Sequence, residues 1–238
     1  AELQGPGGMP LPPNTRRWGA PPDRAAIEAG ILAGRGLEIA WVDDAVDAFF
    51  MQIQGSGRII LPNGSVLRIG VAGQNNLPFV GILQAAFAEG MPRDRLSMPA
   101  MRTWLRDIGP DRARAVMSRN PSYIFYRRID NLAPNQGPFG AMGVPLTPRR
   151  SLAVDRSHIP LGMPMVVTGY DSVDRRPFAH LALAQDVGGM IRGPTRIDYF
   201  WGWGDEAGER AGRMFTEPQV FLLLPLAARE AMETTQRR

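Results

Sequence analysis

Three carboxylates in the C-terminal half of the chain follow short apolar stretches: Asp155 in SLAVDRSHIPLG, Asp186 in LALAQDVGGMIRG and Asp198 in TRIDYFWGWGDEAG. Each sits where a strand pattern yields to turn residues, the position that places side chains at the rim of a sheet or barrel. Aspartate before Gly or Ser is also ordinary turn chemistry, so Asp155 and Asp186 read equally as turn residues. Asp198 differs in its neighbours, because Tyr199, Phe200 and Trp201 follow it directly and Trp203 is close behind. An aromatic wall would desolvate the carboxyl and favour the protonated form that a general acid needs, whereas an ion pair with Arg196 would favour the charged form. Sequence alone leaves both open. QGSG, from Gln54 to Gly57, reads as a polar, glycine-rich strand segment, either a bulge or a close approach to a ligand.

Other chemistries are poorly represented. No cysteine occurs, which removes disulfides, thiolate nucleophiles and Cys-type zinc sites. His158 and His180 stand outside any GxSxG, HExxH or His-x-His pattern and read as structural or solvent-facing. No metal or organic cofactor is expected. GWGDEAG, from Gly202 to Gly208, imitates a dinucleotide loop, but its third glycine is misplaced and no βαβ pattern surrounds it. The formal charge is +4 and every Lys+Arg residue is arginine. These arginines are scattered apart from short clusters at Arg127, Arg128 and at Arg149, Arg150, so a nucleic-acid partner is not expected. VFLLLPLAA, from Val220, is too short to span a bilayer, and the chain reads as soluble.

The elements that would hold these residues follow from pattern. Residues 1–22 are rich in Gly and Pro and read as an extended entry or linker. Asp23 is placed to cap a helix over RAAIEAGIL, and DDAVDAFF suggests a second helix. From Met51, MQIQGSGRIILPNGSVLRIGVAG reads as β structure with a hairpin turn at Pro62, Asn63 and Gly64. Helices are expected at Phe79–Glu89, Pro99–Ile108 and Asp111–Arg119, then a strand in SYIFYRR, closing a first α+β unit over residues 23–128. IDNLAPNQGPFGAMG is a loop. Residues 129–225 then read almost purely as strands and turns, in VPLTPRRSLAVD, MPMVVTGY, AHLALAQDVGG and QVFLLLP, which suggests a small β-barrel. Residues 226–238 form a tail.

Taken together, MQIQGSG, NPSYIFYRR, GVPLTPRRSLAVDRSHIPLG, AQDVGGMIRG and DYFWGWGDEAGERAGRM resemble the membrane-bound lytic murein transglycosylase A family, with its C-terminal domain named for three aspartates. The match runs in consistent order from about Asp23 to Pro225, and the three aspartates fall on Asp155, Asp186 and Asp198. The resemblance implies a mainly β fold with some α: a double-psi β-barrel, a second α+β domain, and a groove between them for a glycan strand. It implies cleavage of the β-1,4 bond between N-acetylmuramic acid and N-acetylglucosamine without water, leaving a 1,6-anhydromuramoyl end. Asp198 matches the single catalytic acid. Asp186, Asp155, Gln54, Gly55, Ser56, Gly57, Gly188 and Gly189 are the supporting positions. Tyr199, Trp201 and Trp203 would support the barrel or stack on sugars. The implied partner is peptidoglycan, met in the periplasm by a monomer associated with the outer membrane. The family's upstream Gly-Tyr-Tyr segment and its lipoprotein cysteine are not in this chain, which therefore reads as a piece beginning inside the family's sequence. Alternatives are a non-catalytic glycan-binding barrel and an aspartic-protease-like dyad of Asp186 and Asp198; the dyad lacks the Asp-Thr-Gly or Asp-Ser-Gly signature.

Overall fold

The computed structural model describes residues 21–94, 96–214 and 218–227, so nearly all of the expected entry segment and C-terminal tail lies outside the described residues. The chain divides into two compact units, one ending at Asn131 and the other beginning at Leu132. Helix and strand contribute comparable shares, so the fold is mixed α/β rather than mainly β.

The first unit opens with α1 (Arg24–Glu28), whose cap is the expected one: Asp23 accepts from the Ala26 N–H at 2.8 Å. The helix is shorter than RAAIEAGIL, because Gly30 takes a φ of 96° and turns the chain out of the helix. α2 (Ala45–Gln54) starts at Asp44, which accepts from Val46 and Asp47, and runs further than expected. Met51 to Gln54 are therefore helical, not β. Val46, Phe49 and Phe50 bury the inner face of the same helix, and Gly55 closes it with a left-handed φ of 73°. β1 (Ser56–Ile60) and β2 (Val66–Gln74) form the expected hairpin, in which the Asn63 side chain accepts from the Ser65 N–H at 3.0 Å. β3 (Ile124–Arg128) adds to β2, giving the antiparallel order β1-β2-β3.

α3 (Leu83–Ala88), α4 (Met98–Asp107) and α5 (Pro110–Met117) correspond to the three expected helices. α3 begins later than Phe79, since the segment before it is drawn to Asn120, whose side chain accepts from the Val80 N–H. These helices pack on α2 through Leu105, Val116 and Met117. Composition did not foretell Arg24. It is 1% exposed, donates to the Asn120 and Ser122 carbonyls and to Gln52, and lies over the Phe49 ring at 4.7 Å. A buried guanidinium thus ties α1 to α2 and to the entry of β3, with its donors satisfied.

The second unit holds β4 (Ser151–Ala153), β5 (Pro164–Asp171), β6 (Arg176–Asp186), β7 (Asp198–Tyr199) and β8 (Gln219–Leu222). They form one mixed sheet in the order β7-β4-β6-β5-β8, with β4 parallel to β6 and the other pairs antiparallel. Alternation in β5 and β6 turns Met165, Val167, Ala182 and Ala184 into a core with Leu152 and Val154. The strand expected over VPLTPRRSLAVD shrinks to three residues, because Pro145 and Pro148 cannot donate to a ladder.

α6 (Gly204–Arg213) corrects the expectation of strands and turns alone. None of its residues is buried, and the face opposite its charges carries only Ala and Gly, too small to read as a core stripe. What favours it is charge: Asp205 and Glu206 sit at its positive end, Arg210 and Arg213 at its negative end, and Glu206–Arg210 and Glu209–Arg213 pair four residues apart.

Candidate active site

β4 is the strand that brings the acids together. Ala153 is in register with Asp186 on β6 and with Asp198 on β7, so the two aspartates occupy one row across three strands. Two strand spacings put their backbones about 10 Å apart. A β-bulge between Leu152 and Ala153 makes this row: Leu152 pairs with Ala184, yet Ala153 pairs with Asp186, leaving Gln185 as the extra residue. The bulge is fastened on both sides. The Ser151 hydroxyl, fully buried, donates to the Gln185 side chain at 2.5 Å and accepts from the Thr147 N–H at 2.8 Å. The Gln185 carbonyl accepts from the Met142 N–H at 3.0 Å.

The two carboxyls meet different surroundings. Asp186 is half-buried and accepts from the Ala141 N–H at 2.9 Å, and burial pushes its carboxyl above the usual carboxylate value despite that bond. Asp198 is exposed. The aromatic residues after it do not wall it off; they pack among themselves and on β6, with Tyr199 and Trp201 at 5.1 Å and Phe178 and Trp201 at 6.2 Å. Alternation along the two-residue strand β7 separates Asp198 from Tyr199, which explains why proximity in sequence did not become desolvation in space. The alternative ion pair with Arg196 is not formed among the described residues. Trp201 is buried and Trp203 is partly exposed, so the aromatic run divides between core and surface.

Asp155 has a different role. It accepts from the Ser157 hydroxyl at 2.6 Å, the Gly193 N–H at 2.8 Å and the Ser157 N–H at 3.0 Å. These bonds, led by the Ser157 hydroxyl, hold its carboxyl well below the usual range. Gly193 lies in the loop that joins Asp186 to Asp198, and Gly188 and Gly189 begin that loop, with the Gly188 carbonyl accepting from Ile191. The third aspartate therefore anchors the connection between the other two.

Gln54 to Gly57 belong to the first unit and have local roles there. Gln54 is the last residue of α2, Gly55 is its cap, and Ser56 starts β1. A Cβ on Gly57 would meet the Met51 sulfur at 2.1 Å, so its close approach is to the chain's own helix. His180 bonds through Nδ1 to the Tyr199 hydroxyl, a contact that spacing could not reveal, and His158 faces Asp155 at 3.5 Å.

Residues 14–127 match the MltA specific insert domain, and residues 150–224 match the 3D domain. The membrane-bound lytic murein transglycosylase A of Vibrio cholerae is 32% identical over 198 residues, covering 80% of this chain and 52% of that protein. A crystal structure of a membrane-bound lytic murein transglycosylase from Agrobacterium tumefaciens is 41% identical with a TM-score of 0.80, covering 88% of this chain and 58% of that one. The crystal structure of E. coli MltA with bound chitohexaose is 31% identical with a TM-score of 0.78, covering 91% and 64%. The chain spans about half the length of the curated relatives it matches. With both family domains matched in order and the fold shared with those structures, the chain belongs to the membrane-bound lytic murein transglycosylase A family.

Proposed function

We propose that the chain serves a peptidoglycan lytic transglycosylase, cleaving the β-1,4 bond between N-acetylmuramic acid and N-acetylglucosamine. The observation that carries this reading is the row Asp186–Ala153–Asp198, which holds an exposed carboxyl and a half-buried one on the two strands flanking β4 in one sheet, two strand spacings apart. Asp198, protonated, donates to the glycosidic oxygen, which leaves with the electron pair of the C1–O bond. The muramoyl C6 oxygen bonds to C1, and its proton passes to the Asp198 carboxylate, restoring the acid. No water is consumed and no second carboxylate is needed to activate one. Asp186 orients the sugar, while Asp155 keeps the loop between the acids in place. The bound chitohexaose of the E. coli relative supports a glycan substrate. The five-stranded sheet of the second unit supports a double-psi β-barrel. Gln54 to Gly57, Gly188 and Gly189 are proposed to border the sugar path. The site of action is the periplasmic face of the envelope, with a monomer needing no cofactor; no helix among the described residues is long and apolar enough to cross a membrane.

Burial of Asp186 favours a second assignment, in which Asp186 is the proton donor and Asp198 stabilises the developing charge at C1. Digestion of murein followed by mass spectrometry tests the reaction itself. The expected products are 1,6-anhydromuropeptides. Products heavier by one water, with reducing ends, would mean ordinary hydrolysis and end the transglycosylase reading. Binding of chitooligosaccharide without any product would leave a glycan-binding module.

A further inference from the structure

The first half of β6, remote from Asp186, borders a cavity of about 290 Å³ in the second unit, near the lower end of small-ligand pockets. His180, on its wall, precedes Asp186 by six residues, about 20 Å along a strand. Phe178 and Trp201 supply an aromatic floor, meeting edge to face at 6.2 Å. Two carboxylates on the wall are already engaged: Arg210 binds Asp171 at 2.7 Å and Asp174 at 2.9 Å, and Arg176 also binds Asp174. Arg149 is different. Its guanidinium lies over the Trp201 ring at 5.6 Å, and among the described residues no carboxylate pairs with it. Its backbone has a φ of 60°, a costly conformation for a residue with a Cβ, and it is pinned by three hydrogen bonds. The Arg149 N–H donates to the Phe200 carbonyl at 2.7 Å, and the Arg149 carbonyl accepts from the Tyr199 hydroxyl at 2.8 Å and the Arg150 guanidinium at 2.9 Å.

That last network fixes a proton. The Tyr199 hydroxyl has one hydrogen and gives it to Arg149, so in its contact with His180 the hydroxyl must accept, and His180 carries its proton on Nδ1. Burial, then the charges of Arg150 and Arg149, favour the neutral ring. Nε2 is left as an acceptor on a ring that lines the cavity. Of the charged groups on the wall, Asp171 and Asp174 are taken up by Arg210 and Arg176, which leaves the Arg149 guanidinium as the wall's cation with which no carboxylate among the described residues pairs.

We propose that this cavity binds the carboxylate end of an N-acylated amino acid, with the carboxylate on Arg149, the amide N–H on His180 Nε2 and a small side chain against Phe178 and Trp201. A guanidinium fork matches a carboxylate, and the acceptor nitrogen selects a ligand with a nearby N–H. The site is independent of the glycan reading, although stem peptides of murein are one source of such ends.

Isothermal titration with N-acetyl-alanyl-alanine, as the free acid and as its C-terminal amide, tests the proposal without murein. The free acid is expected to bind at least about ten-fold more tightly than the amide, and Arg149→Gln to weaken the acid by about ten-fold or more. Amide-proton NMR shifts should gather at Phe178, His180 and Trp201. Equal binding of acid and amide, or shifts elsewhere in the molecule, would overturn the proposal; this comparison on the unaltered protein decides even where Arg149→Gln fails to fold. N-acetylalanine alone distinguishes the source: binding as tight as the dipeptide indicates a free N-acyl amino acid, weaker binding a peptide end. Loss of murein turnover with retained acid binding would count against the function proposed above and leave this site standing.

Discussion

Asp198 and Asp186 share a row but not an environment, and their substitutions should separate donor from support. Asp198→Asn keeps the shape of the carboxyl and removes both proton transfers, so murein turnover should fall by about 10² to 10⁴-fold, with chitooligosaccharide affinity retained. Asp186→Asn should cost less. The reverse ranking in a turbidity assay would assign the proton donor to Asp186, the carboxyl that burial already pushes up. Asp155 belongs to stability instead. Its folded-state value is depressed, so its stabilisation is fully present above the ordinary carboxylate range and is lost as pH falls through the still lower folded value. Asp155→Asn should therefore lower Tm at pH 7, with the gap from the parent narrowing below about pH 4. A pH-independent gap, measured by thermal melts across that range, would mean that the charge on Asp155 is not what anchors Gly193.

At the level of elements, one bulged pair of strands decides whether the site exists. Without the extra residue at Gln185, the residue opposite Ala153 would be Gln185 itself, and Asp186 would leave the row. Ser151 secures that bulge from a fully buried position. Ser151→Ala removes the partner of the Thr147 N–H and of the Gln185 side chain, and losing a part-buried hydrogen bond costs about 0.5–1.5 kcal/mol. Urea unfolding should show a loss of that size, and murein turnover should fall with it. A loss under about 0.5 kcal/mol would show that the bulge holds without the serine. α2 makes a parallel point in the first unit, where Gly55 and Gly57 let a helix turn directly into β1.

The whole molecule pairs two units with separate cores, one built by Phe49, Leu105 and Val116, the other by Leu152, Met165 and Ala184. Every Lys+Arg residue is arginine, and two of these guanidiniums serve the fold itself. Arg24 ties α1 to α2 and to the entry of β3, and Arg210 pairs with Asp171 and Asp174 at the end of β5.

What the residues determined alone were the local elements: the Asp23 cap, the hairpin at Asn63 and Gly64, the α4 and α5 helices, the alternating strands β5 and β6, and the family through its ordered motifs. These depend on capping, turn chemistry and period, which are short-range. Four things needed the tertiary structure. α6 has only Ala and Gly opposite its charged face to announce it, and Arg24 is buried only because partners from α2 and the segment entering β3 converge on it. The exposure of Asp198 and the burial of Asp186 decide what adjacency left open, since a side chain's solvation depends on which face of its strand is covered. The row itself is set by a bulge between strands more than 30 residues apart, and cross-strand register is a property of pairing that spacing along the chain cannot encode.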